Sequence, residues 1–146
     1  MLIKDILKIK GGTIYSVAPQ ALVPAAVDLM VSHDIGSLVV LEGGEMVGMV
    51  TFREILNAFQ EHFGKVQEIR IGDIMVRDPV LGKPEDTIDE MRGVMTDRHV
   101  RYLPIKDNGK LLGVISFHDV AKAALKAASF ENRLLKQYIK NWPDAD

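Results

Sequence analysis

Two stretches of the chain set a hydroxyl three residues ahead of a carboxylate: Ser116-Phe117-His118-Asp119, after Gly-Val-Ile, and Thr51-Phe52-Arg53-Glu54, after Gly-Met-Val. In each, an apolar run of strand character gives way to a run of helical character, so the pair falls at a helix start. Two kinds of chemistry suit that spacing. One is structural: the Ser or Thr oxygen accepts a backbone N–H while the acid at the third helical position reaches back to the cap, forming a capping box. The other is recognition: the unpaired amides and positive dipole of a helix start favour a phosphate, and a carboxylate one turn in can accept two hydroxyls of a ribose. The two uses are compatible, and the residues by themselves leave both open.

Other chemistry finds little footing. His33, His62, His99 and His118 form neither an HxxxH pair nor a cluster at metal-ligand spacing, and there is no cysteine, so no metal site is expected. Ser116, His118 and Asp119 lie too close along one turn to face each other as a triad, and nothing supplies an oxyanion hole. No phosphate-binding GxxxxGK[ST] loop, GxGxxG or catalytic carboxylate pair is present, so the expectation is a protein that is not an enzyme and requires no cofactor. A net charge of −2 argues against a nucleic-acid partner, and 47% hydrophobic residues argue against disorder. The opening MLIKDILKIKGG alternates charge with aliphatics, and no apolar run approaches the ~18 residues of a membrane span. With the absence of cysteine, this predicts a cytoplasmic chain without a membrane partner.

The elements that must position the two hydroxyl–acid pairs come from an internal repeat. A shift of 65 positions lays GGEMVGMVTFREILNAF (residues 43–59) on NGKLLGVISFHDVAKAA (residues 108–124) without a gap, and the same shift sets Pro19 on Pro84, Met30 on Met95 and Leu38 on Leu103. Upstream, IKDIL (residues 3–7) matches IGDIM (residues 71–75) at a shift of 68, so the first copy carries three extra residues around KIKGG. Each copy reads as a strand (residues 13–17 or 79–81), then a helix with one apolar face (Val23, Ala26, Leu29, Met30 or Ile88, Met91, Val94, Met95). Two strands follow, SLVVLE with MVGMVT and RYLPIKD with LLGVIS, joined through Gly-Gly and Asn-Gly, which supply the positive φ of a tight hairpin. A second helix begins at the hydroxyl–acid pair. The pattern predicts an α/β (α+β) fold of two β-α-β-β-α units.

In its order of segments the chain resembles a tandem CBS-domain pair, or Bateman module, over residues 1–128. The carriers are IKDIL and IGDIM, Val17 with the Pro19 that opens the first helix, residues 103–107, and the two Gly-x-x-[Ser/Thr]-x-x-acid segments. It is further similar to stand-alone bacterial CBS-pair proteins labelled as related to inosine-monophosphate dehydrogenase, which often carry SERD where TFRE stands here and end in a helix like ENRLLKQYI. The dehydrogenase barrel itself needs ~200 residues or more and has no counterpart. The resemblance implies repeats at residues 1–63 and 71–128 related by pseudo-two-fold symmetry, a linker at 64–70 and a C-terminal helical extension at 129–146.

The resemblance also implies two clefts, each borrowing from both repeats. One would combine Ser116, His118 and Asp119 with Thr13, Ile14, Ile35 and Gly36. The other would combine Thr51, Arg53 and Glu54 with Pro79, Val80, Val100 and Arg101. The carboxylates would take ribose, the hydroxyls and helix amides a phosphate, and the aliphatics the adenine faces. Glu54 is one methylene longer than the usual Asp, and Gly36 stands where Arg101 provides a cation in the other copy. Adenine nucleotides (AMP, ADP, ATP or NAD(H)) are the ligands implied, signalling to an effector protein that the sequence does not name. In the tail, Phe130, Leu134, Leu135, Tyr138, Ile139 and Trp142 recur at helical spacing. They serve either as packing onto the module or as a partner surface, and the resemblance implies a homodimer. The alternative function is a dimerisation scaffold with empty clefts and a protein partner.

Overall fold

A computed structural model describes residues 1–140. The two hairpins form as their turn residues require: Gly43 and Gly44 take φ of 60° and 81°, and Asn108 and Gly109 take 51° and 78°. They join β2 (Ser37–Glu42) to β3 (Glu45–Thr51) and β4 (Tyr102–Asp107) to β5 (Lys110–Ser116), both antiparallel. Each carries one register shift, between Val40 and Leu41 and between Ile105 and Lys106. Those positions correspond at the shift of 65, so the repeat extends to the irregularity of its ladder.

The first strand of each unit is shorter than expected. β1 is Ser16–Val17, parallel to β2, and the second copy has only a bridge from Gly82 to Ile105 rather than a strand over residues 79–81. Pro79 has no N–H to give a ladder, and pairing is confined to Gly82, whose N–H donates to the Pro104 carbonyl at 2.9 Å. Helices α2 (Val23–His33) and α5 (Ile88–Asp97) then bury the faces expected of them, with Val23 and Ala26 at 0% exposure and Met95 at 1%. Pro19 lies in the turn before α2 rather than opening it, and Pro24 occupies the first turn.

The leading IKDIL and IGDIM segments are helices, α1 (Ile3–Lys10) and α4 (Ile71–Ile74), and each serves the other repeat. Ile3 and Ile6 join Ile88, Met91, Met95, Leu103, Ile105, Ile115 and Val120 in one core. Ile71 joins Val17, Val23, Ala26, Met30, Leu38, Val40 and Val50 in the other. The exchange is reciprocal in its hydrogen bonds. Ile3 and Lys4 N–H groups donate to the Asp86 and Pro84 carbonyls, and Ile71 and Gly72 donate to those of Ala21 and Pro19. Both acceptor pairs are 65 residues apart, which is the expected pseudo-two-fold relation expressed in backbone contacts.

Two helices follow the hydroxyl–acid pairs. α3 spans Phe52–Glu61, and α6 spans Phe117–Lys140 as one element of 24 residues. The last helix of the second repeat and the expected C-terminal helix are thus continuous, while Trp142 and the rest of residues 141–146 lie outside the described residues.

Candidate functional site

Each hydroxyl–acid pair sits where a hairpin strand hands over to a helix, and both form the capping box. Asp119 N–H donates to Ser116 Oγ at 3.1 Å, and Ser116 N–H donates to Asp119 Oδ2 at 2.9 Å. At the other helix, Arg53 N–H donates to Thr51 Oγ1 at 3.2 Å, while Thr51 gives Glu54 Oε1 both its N–H, at 2.8 Å, and its hydroxyl, at 2.9 Å. The extra methylene of Glu54 is spent on folding back over Thr51. Among the described residues, every hydrogen bond to Asp119 falls on Oδ2 and every one to Glu54 on Oε1, so each acid keeps one oxygen open to a further donor.

The two caps border separate clefts, each walled by both repeats. One, of about 220 Å³, brings together Thr51, Arg53 and Glu54 with Pro79, Val80, Val100 and Arg101. Met49, Val76, Asp78, Arg98, His99 and Tyr102 complete it. The other, of about 280 Å³, brings together Thr13, Ile14, Ile35, Gly36, Ser116 and His118. Asp119, expected in this site, does not line the cleft; Lys10, from the last turn of α1, does line it, with Nζ 2.7 Å from Asp119 Oδ2. Both volumes fall below the ~300 to 1,000 Å³ of usual ligand pockets, so a ligand would leave part of its surface in solvent.

Burial raises the Asp119 carboxyl, but hydrogen bonds from Lys10 and from the Ser116 backbone, the Lys10 charge and the Ser116 hydroxyl outweigh it, and the net shift is downward. Burial pushes the Tyr102 phenol up against the opposing effect of Arg101. Tyr102 borders both clefts. Its ring meets Phe52 edge-on at 6.3 Å between centroids, and the Arg101 guanidinium lies 5.6 Å above the same Phe52 ring. A Cβ at Gly36 would overlap the Tyr102 hydroxyl and come within 3.1 Å of Phe52. The missing side chain at residue 36 is therefore the space that Tyr102 fills.

Sequence reasoning did not find Lys10, Tyr102, Arg98 or Asp78. Lys10 had a signal, since it lies in KIKGG, the stretch around which the first copy carries its three extra residues. Tyr102 had another: it corresponds to Ser37 in the repeat, a change from small to large at a position flanking the cleft. Among the described residues, no group of three His, Asp or Glu is placed to hold a metal ion, and no helix is long and apolar enough to cross a membrane.

Residues 3–61 and 71–126 each match the family described as "CBS domain". The chain belongs to the CBS-domain family. Its CBS pair is 31% identical over 148 residues to the mitochondrial CBS domain-containing protein CBSX3 of Arabidopsis thaliana, covering 94% of this chain and 71% of that one. It is 32% identical over 108 residues to inosine-5'-monophosphate dehydrogenase of Korarchaeum cryptofilum, covering 73% of this chain but only 21% of the dehydrogenase. Among solved structures, the CBS-domain containing protein ATU1752 of Agrobacterium tumefaciens superposes with a TM-score of 0.82 at 29% identity, covering 85% of this chain and 99% of that one. The CBS protein CBSX2, solved in complex with AMP, superposes with a TM-score of 0.69 at 24% identity, covering 87% and 98%. At that identity the likeness is one of fold.

Proposed function

We propose that this CBS pair is a non-catalytic, cytoplasmic regulatory module that senses an adenine nucleotide in its inter-repeat clefts. What supports the reading is a capped helix start beside each cleft, with Thr51 and Glu54 lining one and Ser116 the other, where Lys10 links the lining to Asp119, together with cations and aliphatic walls from both repeats. Asp119 and Glu54 take ribose hydroxyls; Ser116, Thr51 and the helix amides take phosphate, with Arg53 and Arg101 supplying charge. Ile14, Ile35, Val80 and Val100 cover the adenine faces, and His118 borders the phosphate side. The complex of CBSX2, a protein of this fold, with AMP supports the choice of ligand, with ADP, ATP and NAD(H) as the other candidates.

A nucleotide touching both repeats biases their relative arrangement by binding two arrangements unequally, and the bias is passed to an effector protein. The test is thermal unfolding and calorimetry against AMP, ADP, ATP, NAD and NADH, with Asp119→Ala alongside. Ligand at a hundredfold excess over Kd stabilises the native chain by about 2.7 kcal/mol. A saturable shift, lost or weakened in Asp119→Ala, is the expected outcome. Absence of a shift with every nucleotide overturns the reading.

That second outcome would favour a dimerisation scaffold. The observation behind it is the exposed apolar face of α6, where Phe130, Leu135 and Ile139 are 55%, 59% and 66% exposed.

A further inference from the structure

The Asp119 cleft contains its own competitor for the carboxylate, and this bears on which ligand the proposed function admits. Lys10 Nζ lies 2.7 Å from the same Asp119 oxygen that accepts the Ser116 N–H, and its side chain borders the cleft beside Thr13, Ser116 and His118. Its position follows from the extra residues of the first copy. α1 runs for eight residues, where its counterpart α4 runs for four before the chain turns away to pair Val76 with Met49 on β3. No lysine is carried to Glu54 in this way, and among the described residues Glu54 has no ion pair.

The opposite wall cannot supply the cation instead. Residue 36 corresponds to Arg101, but Tyr102 occupies the space that any side chain there would need. The two clefts therefore draw positive charge from different places: Arg53, Arg98 and Arg101 around Glu54, and Lys10 from α1 beside Asp119.

We propose, resting on the nucleotide reading above, that Lys10 is the residue that makes the Asp119 cleft select a phosphorylated nucleoside over a bare one. The open oxygen of Asp119 can take one ribose hydroxyl, but a ribose that uses both carboxylate oxygens competes with the Lys10 ammonium for Oδ2. A nucleoside that displaces it gives the ammonium nothing in return. A nucleotide offers its phosphate, so the ion pair is exchanged for a charge-assisted contact of the same kind. The flexible four-carbon stem of lysine, 43% exposed here, allows the ammonium to turn from one anion to the other.

The test follows the backbone amides of Thr13 and Gly36 by NMR during titration with adenosine and with AMP, for the wild type, Lys10→Met and Lys10→Arg. The amides of Val80 and Arg98 report the other cleft. At Thr13 and Gly36, AMP is expected to bind about tenfold or more tighter than adenosine in the wild type and in Lys10→Arg. In Lys10→Met, AMP weakens, adenosine tightens and the preference collapses, while Val80 and Arg98 respond as in the wild type. Equal weakening of both ligands in Lys10→Met makes Lys10 a structural strut and overturns the proposal, as does an unchanged preference; in either case the nucleotide reading stands. No response to either ligand in both clefts overturns the nucleotide reading and this proposal together.

Discussion

At Asp119 two opposing effects act on one carboxyl. Burial favours the neutral acid, while Lys10 and Ser116 favour the anion and prevail, so the folded value lies below the ordinary 3.8. The unfolded chain therefore takes up the proton first as pH falls. The stabilisation is complete above the unfolded value and disappears as pH drops below about 3.8 through the folded value. In urea unfolding, the advantage of the wild type over Asp119→Asn is expected to be constant from pH 7 to pH 5 and to shrink below pH 4. An advantage that grows on acidification would mean that burial, not the ion pair, governs this carboxyl. The residue type and spacing of Ser116 and Asp119 announced the cap correctly, because a capping box is local. They were silent on Lys10, because an ion pair across 109 residues is set by where two helices end.

At the scale of elements, the exchange of α1 and α4 decides what can fold alone. Ile3 and Ile71 are both at 0% exposure, each in the core of the opposite repeat. Losing such a side chain from a core costs about 2–5 kcal/mol, a large part of the ~5–15 kcal/mol that holds a small domain. We expect a fragment of residues 1–63, bounded as the sequence repeat is, to be largely unfolded by circular dichroism. A fragment of residues 12–76, which trades α1 for α4 and keeps the Val17, Val23, Leu38 and Ile71 core together, is expected to show the more cooperative melt. The reverse ranking would show that the leading helices are dispensable. The hairpins and the amphipathic helices were legible because turn chemistry and apolar periodicity are local signals. The partner of IKDIL and IGDIM was not, since an apolar face records that it will be buried and not against what. Tyr102 was hidden for a similar reason: its ring matters through the space at Gly36, on the other repeat.

For the molecule as a whole, α6 joins the proposed ligand site to the proposed partner site in one continuous helix. Its first turn is capped by Ser116 and carries Asp119, and Val120 and Ala123 anchor it in the core. From residue 128 onward it is exposed along its length, a stretch of about 20 Å at 1.5 Å per residue. There Phe130, Leu134 and Tyr138 form one row, and Leu135 and Ile139 the adjoining one. An exposed apolar face of this length marks a contact surface, and a second copy of the same helix offers a self-complementary cover under two-fold symmetry. The wild type is therefore expected to sediment at twice its 16.2 kDa at micromolar concentration, and Leu134→Glu combined with Ile139→Glu to sediment as the single chain. A wild type that runs as 16.2 kDa at every concentration would remove the homodimer. Because the cleft lies at one end of the helix and the apolar face at the other, a nucleotide that shifts α6 is expected to shift dimer affinity, provided the two arrangements of α6 dimerise unequally. By reciprocity, dimerisation must then change nucleotide affinity by the same factor. Sedimentation with and without saturating AMP measures that factor directly; a value of one would leave α6 as a fixed joint and move the signal to the angle between the repeats.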